Sequence, residues 1–136
     1  MRPRDDKVEL LRNVPLFAAC STKELRRIAA IADELAFREG KILTKQGGPG
    51  REMFIILDGT VTVERNGAQV NQLGPGDFLG EGALVLRKPR NATITATSPL
   101  RALVITDANF NELLLADARI SGKVHETLAA RAPPEE

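Results

Sequence analysis

Residues 36–106 are a succession of short β-prone runs cut by Gly40, Gln46-Gly47-Gly48-Pro49-Gly50, Asp58-Gly59, Asn66-Gly67 and Gly74-Pro75-Gly76-Asp77. Turn residues at this spacing leave room for strands and not for helices between them, which predicts an antiparallel roll or barrel. Asn66-Gly67 is the clearest hairpin signal, because a two-residue turn with both φ angles positive suits Asn followed by Gly. It joins residues 60–64 to 68–73, and strict alternation assigns Val61, Val63 and Val70 to the inward face. Residues 93–97 and 100–106 read as two further strands on either side of Ser98-Pro99, giving a roll of about eight strands.

Helical signals flank this region. Ser21-Thr22-Lys23-Glu24 reads as a capping box, and Leu25, Ile28, Ala29, Ala32 and Leu35 follow at helical spacing, predicting a helix over 22–35. Ahead of it Val8, Leu10, Leu11 and Val14 predict a shorter helix, broken at Pro15-Leu16-Phe17 with Phe17 as a core plug. Asp107 caps a final helical region in which Phe110, Leu113, Leu114, Ala116, Ile120, Val124 and Leu128 recur, with Gly122 a weak point and Pro133-Pro134 the end. The expected organisation is a single domain, mainly β with flanking helices. Helices occupy about 7–35, the roll 36–106, C-terminal helices 107–131 and a tail 132–136. A chain of 136 residues, 43% hydrophobic, can bury one core and is short for two.

Charge and rare residues exclude several function classes. Nineteen basic against 18 acidic residues leave a net charge of +1 with no long block of either sign, so no nucleic-acid footprint is expected. The single Cys20 rules out an intramolecular disulfide. The single His125 removes metal sites that need several imidazoles, and no acid, Ser or Cys lies at a spacing that makes it part of a nucleophile system. Catalytic and metal-ligating residues are therefore read as none, and a cupin-type metal oxygenase on a similar roll lacks its ligands. With no run of about 18 apolar residues and no signal-like start, a soluble, unprocessed, cytoplasmic chain is expected. The Gln46-to-Gly50 loop is glycine-rich but has no P-loop lysine or threonine, and reads as a strand connection.

Chemistry concentrates in Gly76-Asp77-Phe78-Leu79-Gly80-Glu81-Gly82-Ala83-Leu84 and, after a short loop, Pro89-Arg90-Asn91-Ala92-Thr93. Small residues let backbone N–H groups approach an anion, arginine adds a permanently charged fork, and a carboxylate accepts hydrogen bonds from a sugar hydroxyl. Together they describe a pocket for a phosphate attached to a ribose.

Gly80-Glu81-x-Ala83-Leu84 with Arg90-x-Ala92-Thr93 resembles the phosphate-binding cassette of cyclic nucleotide-binding domains, as in bacterial catabolite activator proteins, protein kinase A regulatory subunits and cyclic nucleotide-gated channels. Residues 50–61, Gly50-Arg51-Glu52-Met53-Phe54-Ile55-Ile56-Leu57-Asp58-Gly59-Thr60-Val61, resemble the strand pair ahead of that cassette, and the likeness runs from about residue 16 to 128. The resemblance implies a β-roll between helices, with the cassette at 80–93. It implies that Arg90 holds the cyclic phosphate, that Glu81 accepts from the ribose 2′-hydroxyl, and that Gly80, Gly82, Ala83, Asn91 and Ala92 line the site, Ala83 and Asn91 through main-chain N–H groups. Val63 and Val70 are assigned to the sugar and base side, although inward β-branched residues more often serve the core.

Two positions depart from the family pattern. Asn91 stands where Ala, Ser or Thr is common, and since the Thr hydroxyl goes with cGMP preference, the amide leaves cAMP favoured over cGMP only by the bacterial look of the chain. Gly82 replaces a larger apolar residue. The ligand is thus cAMP, or else cGMP, with no cofactor. The expected role is a regulatory sensor whose C-terminal helices move over the filled pocket and signal to an unidentified protein partner. Residues 118–130 span roughly 20 Å, short for an extended dimer coil, so a monomer or weak homodimer is expected. Competing readings are a docking module without nucleotide and a regulatory domain excised from a larger kinase, channel or transcription factor.

Overall fold

The computed structural model describes residues 4–85 and 89–130, which divide into two compact units, residues 33–107 and a second made of the residues before 33 and after 107. The first unit holds eight strands: β1 (Asp33–Phe37), β2 (Ile42–Thr44), β3 (Glu52–Asp58), β4 (Val61–Arg65), β5 (Ala68–Leu73), β6 (Phe78–Leu79), β7 (Thr93–Ala96) and β8 (Leu100–Thr106). They form two four-stranded sheets of order β1-β8-β3-β6 and β2-β7-β4-β5, with every pair antiparallel. This is the expected eight-stranded antiparallel roll.

Ile56 and Leu100 from the first sheet meet Val61, Val63, Ile94 and Ala96 from the second, and Ala92 joins them, in one apolar cluster. Alternation on β4 and β7 aims their buried residues at this cluster. On β3 the five consecutive residues from Met53 to Leu57 are all buried, so both faces of that strand are covered.

The β4–β5 hairpin turns at Asn66 and Gly67, with φ of 55° and 82°, the positive pair that Asn-Gly favours. Val70 corrects the expected inward set. Val61 faces Leu73 and Val63 faces Asn71, but the register then shifts so that Glu64 pairs with Gln69. Val70 is left on the opposite face, 51% exposed.

The second unit contains α1 (Arg4–Arg12), a 3₁₀ turn (Pro15–Phe17), α2 (Thr22–Ala30), the body of α3 (Asp107–Ala116) and α4 (Ala118–Ala130). Phe17 is fully buried and its ring centroid lies 5.8 Å from that of Phe110. The capping box forms as read: Glu24 N donates to Ser21 Oγ at 3.2 Å and Ser21 N to Glu24 Oε1 at 2.8 Å. The far end of α2 differs from the expected 22–35. Ile31 leaves helical geometry, and Leu35 sits on β1 opposite Ala102, 44% exposed. Five paired residues of β8 outweigh the helical spacing of Ala32 and Leu35.

The C-terminal helical region breaks at Asp117 rather than at Gly122, which lies inside α4. Asp117 Oδ1 accepts from the N–H groups of Arg119 and Ile120, both at 3.1 Å, and so caps α4. Two ion pairs join α2 to this stretch. Lys123 Nζ meets Glu24 Oε1 at 2.6 Å, and Arg27 meets Asp117. The expected stop at Pro133-Pro134 and the tail lie outside the described residues.

Candidate functional site

β6 is short because Phe54 and Ile55 of β3 pair with only Leu79 and Phe78, and the chain turns away at Gly80. Gly80 has φ 81° and ψ 16°, the left-handed region where a side chain is strained, and it opens a 3₁₀ turn over Glu81–Leu84. Ala83 and Leu84 are buried and anchor the turn, while Glu81 and Gly82 are half-buried. A Cβ at position 80 would lie 2.6 Å from the Glu52 carbonyl oxygen and would collide with the Arg90 guanidinium. Backbone conformation and close approach therefore both demand glycine here.

That collision locates Arg90. Its Nη2 donates to the main-chain oxygen of Glu52, its Nη1 packs against Gly80, and its Nε is buried with no hydrogen-bond partner among the described residues. Burial presses the guanidinium's pKa below the usual arginine range and the Glu52 carboxylate opposes that shift. Arginine remains charged at neutral pH, so a half-buried cation sits beside a left-handed glycine with its buried Nε–H unpartnered among the described residues. A buried orphan N–H costs about 1–3 kcal/mol, which an anionic acceptor would recover.

The segment 90–93 is fastened by residues of 44–48 and by Arg65, through its main chain at 90–92 and the Thr93 hydroxyl. Gly47 N donates to Arg90 O at 2.7 Å and Arg90 N to Gly48 O at 2.9 Å. Arg65 Nε donates to Asn91 O at 3.1 Å, Thr44 Oγ1 to Ala92 O at 3.2 Å, and Gln46 N to Thr93 Oγ1 at 3.0 Å. Sequence reasoning missed Glu52, Gly47, Gly48 and Arg65. Gly47 was the available signal, because its φ of 82° lies in the left-handed region that glycine favours.

Among the residues expected to bind, Gly80 and Arg90 are in contact, and Glu81, Gly82 and Ala83 follow directly in the turn. The Ala83 N–H already donates to Gly80 O at 3.0 Å. Asn91 is exposed, whereas Val63 and Ala92 belong to the apolar cluster. Val70 points to the other side of the sheet from Val63. No group of three or more His, Cys, Asp or Glu able to hold a metal occurs among the described residues. No described helix is long and apolar enough to cross a membrane.

The family model of the cyclic nucleotide-binding domain matches residues 34–117, more than half of the chain. The chain belongs to the cyclic nucleotide-binding domain family. The match takes in all but the first residue of the roll and the whole cassette, and it ends at the capping Asp117. Solved structures agree with it. The N-terminal domain of a transcriptional regulator from Streptomyces coelicolor A3(2) superposes with a TM-score of 0.80 at 26% identity, over 88% of this chain and 87% of that one. A cyclic nucleotide-binding-like protein from Brucella abortus gives 0.76 at 30% identity, over 82% and 99%. The cAMP-bound protein kinase A regulatory subunit PfPKA-R (141–441) gives 0.69 at 25% identity, over 93% of this chain and 44% of that one. For this cyclic nucleotide-binding domain, the cassette at 80–93 and the arginine packed against its glycine lie within the matched region.

Proposed function

We propose that this cyclic nucleotide-binding domain is a cAMP sensor in which Arg90 takes the cyclic phosphate and Glu81 the ribose 2′-hydroxyl. The observation that carries the reading is the Arg90 guanidinium, held against Gly80 with a buried Nε that has no acceptor among the described residues. Its present acceptor is a neutral carbonyl, and a phosphate oxygen makes a charge-assisted bond roughly twice as strong. The same exchange applies at Ala83, whose N–H would leave Gly80 O for an anion. Support for cAMP over cGMP comes from the bound ligand of PfPKA-R.

The output is read as a movement of α3 and α4 recognised by a protein partner. Its physical support lies near Glu52. Arg90 bonds the Glu52 carbonyl, Glu52 pairs with Thr106 across the β3–β8 ladder, and Asp107 N donates to Arg51 O at 2.8 Å. Drawing Arg90 toward a phosphate disturbs the peptide next to the one that holds the first residue of α3. A ligand that favours one position of those helices shifts their population by its differential affinity.

Calorimetric titration of nucleotide-free protein with cAMP and cGMP tests the reading. Micromolar or tighter binding of cAMP is expected, with cGMP weaker, and Arg90→Ala should abolish measurable binding while the protein stays folded by circular dichroism. A folded, nucleotide-free sample that takes up neither ligand rejects the sensor, and unchanged affinity in Arg90→Ala rejects the phosphate assignment.

A further inference from the structure

Residues 90–92 lie outside the strands, yet all three of their carbonyls accept a hydrogen bond. The donors come from two places. Thr44 and Gly47 belong to the end of β2 and the loop after it, and Arg65 ends β4 at the hairpin tip. Gln46 in the loop and Asn66 in the tip tie these two places together. Gln46 Nε2 donates to Asn66 Oδ1 and Asn66 N donates to Gln46 Oε1, both at 2.8 Å.

Neither the core nor the turn explains this amide pair. Both residues are exposed, and a left-handed turn position followed by Gly67 accepts Gly or Asp as readily as Asn. Gln46 is engaged at three points: its side chain makes two bonds to the hairpin tip, and its N–H donates to the Thr93 hydroxyl at the start of β7.

We infer that Gln46 and Asn66 are positioning residues for the phosphate-binding arginine. They lock loop and hairpin tip into one bracket that fixes the main chain of Arg90 before ligand arrives. This rests on the reading of Arg90 as the phosphate ligand. Without the lock, the 46–48 loop and the tip are ordered at the moment of binding, and that ordering is subtracted from affinity.

The test is cAMP calorimetry on the wild type, Gln46→Ala, Asn66→Gly, the double variant and Asn66→Asp, with amide hydrogen exchange on the ligand-free proteins. Gln46→Ala should bind about tenfold more weakly, the double variant no more weakly than Gln46→Ala, and Asn66→Asp, which keeps the side-chain acceptor, should bind like the wild type. Exchange at the N–H groups of Gly47 and Arg90 should accelerate in Gln46→Ala while the amides of β3 and β8 stay protected, a pattern that general destabilisation would not give. Gln46→Ala within twofold of wild type, or losses that add in the double variant, would overturn the bracket. A wild type that takes no cyclic nucleotide overturns the assignment of Arg90 and the positioning role with it, so the two failures are distinct.

Discussion

At the residue scale the site turns on one glycine. Position 80 carries the cost of a left-handed φ for any other residue, about 1–2 kcal/mol, and leaves no room for a Cβ beside the Glu52 carbonyl and the Arg90 guanidinium. Gly80→Ala should therefore destabilise the protein by about 2–3 kcal/mol and also weaken cAMP binding, because the guanidinium is displaced. Gly76→Ala is the control. It shares a positive φ of 89° but meets nothing within 4 Å, so it should cost about 1 kcal/mol in denaturant titrations and leave affinity unchanged. Equal affinity losses in the two variants would mean that strain alone acts at position 80. The sequence placed Gly80 and Arg90 in one motif by resemblance, while their direct contact comes from the structure. The bracket was not legible: a left-handed glycine at 47 marks a turn but not its partner, and the bonds to Arg90 run through main-chain groups that every residue type carries.

At the scale of elements, local chemistry was readable and long-range pairing was not. The capping box set the start of α2, and Asn-Gly set the β4–β5 turn, because both are formed by residues within a few positions of each other. The end of α2 depends on β8, some seventy positions away, and the outward turn of Val70 depends on a one-residue register shift; neither leaves a trace in periodicity. The same α2 start carries a pH-sensitive contact. Glu24 is 93% removed from solvent, and the hydrogen bond from Lys123, helped by the Ser21 N–H, holds its carboxyl below the usual range. A depressed folded-state pKa contributes stability that is present above the unfolded value, about 4.3, and is lost as pH falls through the folded value. Glu24→Gln keeps a capping side chain but removes the charge. It should cost about 1 kcal/mol at pH 7, a modest figure because Lys123 is partly exposed, and it should flatten the fall in melting temperature below about pH 4.3. An acid limb identical to that of the wild type would show that the Lys123 contact does not tune Glu24.

For the whole molecule the question is whether occupancy of the roll is felt by the helices that follow it in sequence. Ligand binding alone stabilises the folded state by about 2.7 kcal/mol at a hundredfold excess over Kd, a rise in melting temperature of about 8 °C for a chain of this size. Such a rise reports affinity and says nothing of where the energy goes. The distribution is read by hydrogen exchange with and without cAMP. Contact at Arg90 and the 81–84 turn, passed to Gly47 through its bond to the Arg90 carbonyl, predicts slower exchange at all of these, which lie within residues 33–107. The link from Arg90 through Glu52 and Arg51 to Asp107 predicts more, because the acceptor of the Asp107 N–H adjoins the peptide that loses its arginine. Exchange in residues 107–116 should then change severalfold with cAMP, and the change should reach α4 across the Asp117 cap. In Arg90→Lys both effects should vanish together, since an ammonium supplies the charge but not the fork that spans Glu52 and Gly80. A cAMP effect confined to 33–107 in the wild type would leave the binding site standing and reject α3 as its output.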